Sequence, residues 1–441
     1  MTRPGSGGPV PADPPRIDPA LRAALEAELD DAVALRHALH RDPRLSGDEA
    51  DSRDLVLAAL ADVAPDTPEL VADTGAMLRL GPPPGAGRPA VAVRAELDAL
   101  PVVERTGLPY SATGPAAHVC GHDVHVAALV AVARAMARVG PEHHGPAPLL
   151  AVFQPREEKA PSGASDVAAD PRFAAHEVGA VLGVHVQPEL PRGTVSVRGG
   201  PVNASADEIE IEVHGRGGHG GYPHRTRDPV LALAQIVAGV HHIVSRRVDP
   251  MAAGVITLGQ MEAGSAPNIV PETATARGTV RALDASRDEL LAALREVVES
   301  TARAYGCSAT LTVVPNEPAV VNDEALALSV ARALGSRGAT DAVDGSGEPG
   351  TDGLVLDTTF RSCGADDFSH YGEVLPSLML FVGTAAAGTT PGAGPGLHHP
   401  EFSPDDAMVG EVARALLAAV IAAGAALAPS ADPVTAAAPN G

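Results

Sequence analysis

Apolar and polar positions along the chain repeat with two different periods. In PALRAALEAELDDAVALRHALH, residues 19–40, Leu21, Leu25, Leu29, Ala32 and Leu39 recur at helical spacing, which predicts a helix as the first ordered element. Three short uninterrupted apolar runs follow: AVAV at 90–93, PLLAVF at 148–153 and AVLGV at 180–184. Such runs suit strands buried on both faces. The helical stretch VHVAALVAVARAMARV lies between the first two, so the pattern is a βα alternation and predicts an α/β fold with a mostly parallel sheet. Each strand runs into a polar cluster: AVAV into RAELD, AVF into QPREE, VLGV into His185. Open α/β sheets hold their ligands at the carboxyl ends of strands, so the three clusters are expected on one edge.

From about Ala204 the strand period becomes two. DEIEIEVHG alternates Ile209, Ile211 and Val213, as a half-exposed strand does. DPVLALAQIVAGVHHIVSRR reads as a helix with Asp228 as N-cap and Pro229 in its first turn. AGVITLG and ATARGTVRAL read as two more strands, DASRDELLAALREVVESTARAYG as a second helix ending at Gly306, and ATLTVVP as a last strand. The order β-α-β-β-α-β predicts a ferredoxin-like α+β domain over residues 204–315. The α/β pattern resumes after Pro315 with SLMLFVG, so this domain is an insertion within a catalytic domain made of 19–203 and 316–428. Residues 1–18 and 429–441 have the composition of disordered segments.

Composition narrows the function. The 441 residues exceed what one hydrophobic core usually serves, in keeping with two domains. A net charge of −23 repels phosphate backbones, so no nucleic acid is expected as a partner. Three cysteines are too few for a disulfide framework, and Cys307 and Cys363 read as buried small hydrophobes. The opening MTRPGSGGPVPADPP has no apolar core, and the Ala-rich run at 415–428 is interrupted by Gly424 and bounded by Arg414 and Pro429. A cytoplasmic enzyme with no membrane partner is the expectation.

The candidate chemistry begins in AHVCGHDVH. Cys120 and His122 are zinc-type donors two residues apart, just before a helix. In QPREEK, Glu157 and Glu158 are adjacent at a strand end, where one carboxylate can bind a metal while its neighbour handles a proton. His185 ends a buried strand, and His398 and His399 follow a Gly-rich loop. Cys120, His122, Glu158, His185 and His398 make five donors, enough for two metals with one shared bridge. His37 and His40, near the end of the first helix, read as surface or C-terminal charge. Two other readings stay open: a thiol hydrolase with Cys120 as nucleophile and His122 or His125 as base, and a non-catalytic metal-binding protein.

The motifs VRAELDALPVVE, HVCGHDVH, FQPREE, GVHV, GRGGHGGYPH, GSAPNIVPETATARGTVR, GADDFSHY and LHHPEF stand in the same order as in a known family. The chain resembles the amidohydrolases that include hippurate hydrolase, N-acyl amino acid deacylases and indole-acetyl-amino-acid hydrolases. These are related to aminoacylase and carboxypeptidase G. The resemblance implies two divalent metal ions (Zn, Mn, Co or Ni). Cys120 would bridge them, His122 and His185 would complete one site, and Glu158 and His398 the other. Glu157 would be the general base and acid. His219 would polarise the substrate carbonyl, reaching the partner subunit's site in a homodimer formed through the inserted dimerisation or lid domain. Asn268 and Arg281 would grip the substrate carboxylate. Asp98 would orient its neighbours. Glu96 stands where this branch usually carries Asp and more distant relatives a metal-binding histidine. The implied reaction is cleavage of N-acyl amino acids, with a dipeptide or a carbamoyl amino acid as the alternative substrate. Ala117, Asp366, His399 and the bare GGHGG depart from the usual pattern and bear on substrate preference.

Overall fold

Asp18 accepts the Ala20 N–H at 2.7 Å, and Pro19 occupies the first turn of the helix that opens there, α1 (Pro19–Arg41). The helix buries Leu21, Leu25, Ala32 and Leu39 of the stripe its periodicity predicts and leaves Leu29 half-buried. The computed structural model describes residues 16–64, 67–140, 147–284, 286–335 and 354–428. The terminal segments read as disordered lie almost wholly outside these residues.

The chain divides into two units. One comprises Met1–Val197, Asp323–Thr358 and Leu375–Gly441; the other Arg198–Asn322 and Thr359–Val374. After α1 the first unit continues with α2 (Ala50–Leu60), β1 (Glu69–Val71), β2 (Gly75–Leu80), β3 (Ala90–Glu96), α3 (His122–Arg138), β4 (Leu149–Gln154), α4 (Gly163–Ala169), α5 (Pro171–Ala175), β5 (Val178–Pro191) and β6 (Thr194–Ser196). The second unit contributes β7 (Gly200–Asn203), β8 (Ser205–His214), β9 (Gly218–His219), α6 (Pro229–Arg246), β10 (Gly254–Ala263), β11 (Ile269–Val270), β12 (Thr273–Ala282), α7 (Arg287–Ala304), β13 (Ser308–Pro315) and β14 (Val320–Asn322). The first unit resumes with α8 (Glu324–Leu334) and β15 (Val355–Asp357), the second with α9 (Ser369–Val374), and the first closes with β16 (Ser377–Ala385) and α10 (Ala407–Ala426).

The first unit is built on an eight-stranded sheet of order β1-β2-β4-β3-β5-β16-β6-β15. Its centre, β4-β3-β5-β16, is parallel, while β1, β2 and β6 pair antiparallel at the flanks. Every residue of β3 and β4 is buried, so each strand opens on an apolar run, AVAV and LLAVF; β3 then buries Arg94 and Glu96 as well. His185 does not end its strand as the sequence suggested. Pairing of β5 with β3 stops at Gly183, but β16 holds β5 in extended form through to Pro191.

The second unit has an antiparallel sheet of order β10-β12-β8-β13 with α6 and α7 as its two helices, the ferredoxin-like arrangement. Asp228 caps α6 by accepting the Val230 and Leu231 N–H groups. The unit also takes in Thr359–Val374, which the sequence pattern alone leaves with the catalytic domain. The reason is local: Ser362 and Gly364 carbonyls accept the Ala204 N–H, and Ser362 N–H donates to Val202. Among the described residues, α6 and α10 are long and apolar enough to cross a membrane; α10 is mostly buried within the first unit.

Candidate metal centre

The loops that leave β3 and β4, the start of α3, the middle of β5 and the segment between β16 and α10 bring the predicted donors together. Cys120 and His122 flank Gly121, whose φ of 92° belongs to the left-handed region. A Cβ there would meet Val186 Cγ2 at 2.4 Å, so only glycine lets this loop sit against β5. Cys120 Sγ lies 3.4 Å from His185 Nε2. Glu158 Oε1 lies 3.3 Å from His398 Nε2 and 3.9 Å from His122 Nε2. Two triplets result, Cys120–His122–His185 and Cys120–Glu158–His398, each with its ligand atoms within 4.8 Å of one another. They share Cys120. Donors about 2.0–2.3 Å from one ion stand at such separations. The triplet His122–Glu157–Glu158 overlaps them, with Glu157 Oε2 3.9 Å from His122 Nε2.

Hydrogen bonds set the histidine tautomers. His122 Nδ1 donates to the Asp98 carbonyl at 2.9 Å, and His185 Nδ1 donates to the Val186 carbonyl at 2.7 Å. Both rings therefore turn an Nε2 lone pair toward the cluster, the orientation that a ligating histidine needs. His398 sits with φ 66°, an uncommon conformation for a side-chain-bearing residue, and its N–H donates to Val119. It is the one half-exposed member; Cys120, His122 and His185 are buried.

The next layer is buried too. Asp98 accepts the Glu158 N–H at 2.9 Å and the Ser46 hydroxyl at 2.7 Å. Glu96 is engaged by Arg94 and, at 3.0 Å, by His125 Nδ1. His125 Nε2 accepts the Val186 N–H at 2.9 Å, so its proton is on Nδ1, facing Glu96. Glu96 thus works through His125 on the backbone next to His185.

Electrostatics show a cluster short of positive charge. Burial, then the charges of Glu158 and Glu157, push the Cys120 thiol well above its usual range. Burial works to lower His122, but Glu96, Asp98 and Glu158 outweigh it and lift the ring to about 10. Yet His122 Nε2 and Glu158 Oε1 are buried with no hydrogen-bond partner. Divalent ions satisfy all of these at once: they stabilise the thiolate, take the place of the imidazole proton and fill the orphaned acceptors.

In the second unit, His219 ends β9 and Asn268 is the turn residue just before β11, its partner in a small two-stranded ribbon. His219 pairs with Ile269, and the Gly220 N–H donates to the Asn268 carbonyl at 2.8 Å. The His219 ring is exposed, and its Nδ1 accepts the Gly221 N–H at 2.9 Å, leaving the proton on Nε2. Arg281 is not with them. It lies eight residues along β12 from Thr273, roughly 26 Å at strand rise, and donates to the Cys363 carbonyl.

The model of peptidase family M20/M25/M40 matches residues 92–421. The chain belongs to this family. An N-acetyl-L-cysteine deacetylase of Bacillus subtilis is 31% identical over 89% of this chain and 87% of its own length. An N-acetyldiaminopimelate deacetylase of Halalkalibacterium halodurans is 32% identical over 80% of this chain and 90% of its own. A crystal structure of a Bacillus subtilis protein, described as a dinuclear metal binding peptidase from the M20 family, superposes with a TM-score of 0.70. It is 26% identical and covers 90% of this chain and 98% of that one. The resemblance read from the sequence is borne out, and with it the amide-cleaving enzyme class.

For an M20/M25/M40 member the thiol-hydrolase reading has little left to stand on. Both ring nitrogens of His125 are engaged away from Cys120, and burial among carboxylates disfavours a thiolate that no cation supports. His40 is not the surface or C-terminal charge that the sequence suggests. It is buried, with Nδ1 2.9 Å from Asp123 and Nε2 3.2 Å from Glu104, and these carboxylates raise its pKa against the opposing effect of burial. His37 stacks on Tyr110 and reaches Asp406 at 2.9 Å. Arg36, a residue that no sequence motif singles out, is fully buried between Asp123 and Asp406. Cys307 is buried as read, whereas Cys363 is only partly so.

Proposed function

We propose that the chain hydrolyses the amide bond of N-acyl amino acids, releasing a carboxylic acid and a free amino acid. The observation that carries this is the pair of donor triplets sharing Cys120, with the Glu157 carboxylate, a member of neither, 3.9 Å from His122 Nε2. Cys120 would bridge two divalent ions, His122 and His185 completing one site and Glu158 and His398 the other. Bound there, the ions supply Lewis acidity to the carbonyl and to water. A thiolate and three imidazoles favour zinc, cobalt or nickel over manganese on softness.

Glu157 takes the proton of the attacking water and returns it to the leaving amine. Its position next to a ligand, yet outside both triplets, suits that shuttle and speaks against a protein that merely stores metal. His219 offers an Nε2–H donor to the oxyanion that develops on the substrate. Asn268, its neighbour on the ribbon, would hold the substrate carboxylate. Arg281 stands too far from that pair for one small substrate to touch all three from a single second unit. A homodimer resolves this, with His219 and Asn268 serving the partner's site. The long, largely exposed edge strand β10 is where two copies would pair.

The relatives named as N-acetyl amino acid deacetylases support an acyl amino acid over a dipeptide or a carbamoyl compound. The test is a panel of hippurate, N-acetyl amino acids, an indole-acetyl amino acid, a dipeptide and a carbamoyl amino acid on protein loaded with zinc, cobalt or manganese. The expected result is kcat/KM on an N-acyl substrate at least about tenfold above the dipeptide, a gap of roughly 1.4 kcal/mol. Faster dipeptide or carbamoyl turnover would move the substrate class, and no turnover of any member would overturn the reading.

A further inference from the structure

The residue just before the acid pair is held in an unusual conformation. Arg156 has φ 55°, in the left-handed region that residues with side chains seldom occupy. Both of its backbone polar groups are taken. Its N–H donates to Glu49 Oε1 at 2.8 Å, and its carbonyl accepts the Gly163 N–H at 3.0 Å. Gly163 can approach only because it lacks a side chain: a Cβ would lie 1.8 Å from the Pro155 carbonyl oxygen.

Glu49 is fully buried, and all its identified partners are donors. Oε1 also accepts the Gly47 N–H at 2.8 Å, and Oε2 accepts the Thr74 hydroxyl at 2.5 Å. Two residues further along the acid loop, the Glu158 N–H donates to Asp98, and Asp98 is held by the Ser46 hydroxyl. One turn, Ser46–Glu49, therefore suspends Arg156–Glu158 at both ends through two buried carboxylates. The RLSGDE segment lies far from the metal loops in sequence, and neither the ligand set nor the proton shuttle uses it.

We infer that Glu49 is a positioning residue for the reaction: by accepting the Arg156 N–H it holds the left-handed turn that aims Glu157 and Glu158 in their separate directions. Without that acceptor, Arg156 relaxes toward an ordinary backbone region and the following peptide rotates. Glu157 then loses its line to the substrate while the ligands on other elements stay in place. The inference rests on the proton-carrying role proposed above for Glu157.

The test compares Glu49→Ala, Glu49→Asp and Glu49→Gln in the full chain. Turnover of the best N-acyl substrate is measured together with the visible absorption of the cobalt(II)-loaded protein. Glu49→Gln keeps an oxygen for Arg156 and should retain wild-type kcat within about threefold. Glu49→Ala should bind the same amount of cobalt, show shifted visible bands because Glu158 moves, and lose about 10- to 100-fold in kcat with KM little changed. Should Glu49→Ala not fold, Glu49→Asp carries the test, since it keeps the buried charge but falls one methylene short of Arg156. Unchanged kcat and unchanged cobalt bands in the folded variant would overturn the inference. So would equal losses in the Gln and Ala variants, which would mark a merely structural role. If wild type cleaves nothing on the panel yet the cobalt bands shift in Glu49→Ala and not in Glu49→Gln, the function reading fails and the positioning stands.

Discussion

The first unit and the second carry their candidate residues in opposite ways. Cys120, His122 and His185 are buried, with both rings locked by carbonyls and a further buried layer of Asp98, Glu96 and His125 behind them. His219 and Asn268 are exposed on a two-stranded ribbon and held by one or two backbone hydrogen bonds. The difference separates two tasks. A cation site needs donors fixed before the ion arrives, because buried charge without geometry is costly. A residue that contacts only the reacting substrate can wait in solvent until it is covered. The first unit is therefore expected to bind metal unaided, and the ribbon to matter for turnover alone.

The largest effect should come from Glu157→Gln. It removes the proton carrier but no member of either shared triplet, so kcat should fall by about 10²–10⁴ with metal content unchanged. Steady-state kinetics beside elemental analysis checks both halves. Loss of metal along with activity would show that Glu157 is a ligand and blur the division of tasks.

His219→Ala comes next. Removing one oxyanion donor should cost about 10²–10³ in kcat. Metal content and thermal stability should stay as in wild type, since the ring is exposed. A variant that also loses metal would show that His219 helps to retain the ions.

The smallest effect concerns acid. His118 is buried, neither ring nitrogen has a hydrogen-bond partner, and burial depresses its pKa to about 4. The unfolded chain takes up the proton near pH 6.5 while the folded one resists it down to about 4. The stability this contributes is full above pH 6.5 and is lost as pH falls through that window. Urea denaturation of metal-free protein at pH 7 and pH 5 should show wild type losing about 2 kcal/mol more than His118→Gln. Equal losses would mean that the ring already titrates normally.

What the sequence makes legible divides along the same line. Buried parallel strands announce themselves as apolar runs, so the hydrophobic pattern alone assigns RAELD, QPREE and the His185 segment to one sheet edge. The β8–β13 alternation and the Asp228 cap make the ferredoxin-like unit equally readable. Partnerships across long sequence separations are not. Nothing in LRHALH indicates that His40 meets Asp123, 83 residues on, or that Arg36 meets Asp406. Glu49 and Arg156 are 107 residues apart, and the turn between them exists only once β4 is placed. The separation of Arg281 from Asn268 is of another kind: β12, readable as a strand, runs extended from Thr273 to Ala282 and carries Arg281 away from the ribbon.

Both units' roles depend on Cys120 being shared by two cation sites, as proposed above. The most direct test is metal stoichiometry after equilibrium dialysis against zinc, for wild type and Cys120→Ala, with amide cleavage measured on the same samples. Near two ions per wild-type chain are expected, with marked loss in the variant and cleavage that falls with the metal. Wild-type protein that binds no metal and still cleaves amides in the presence of chelator would contradict it.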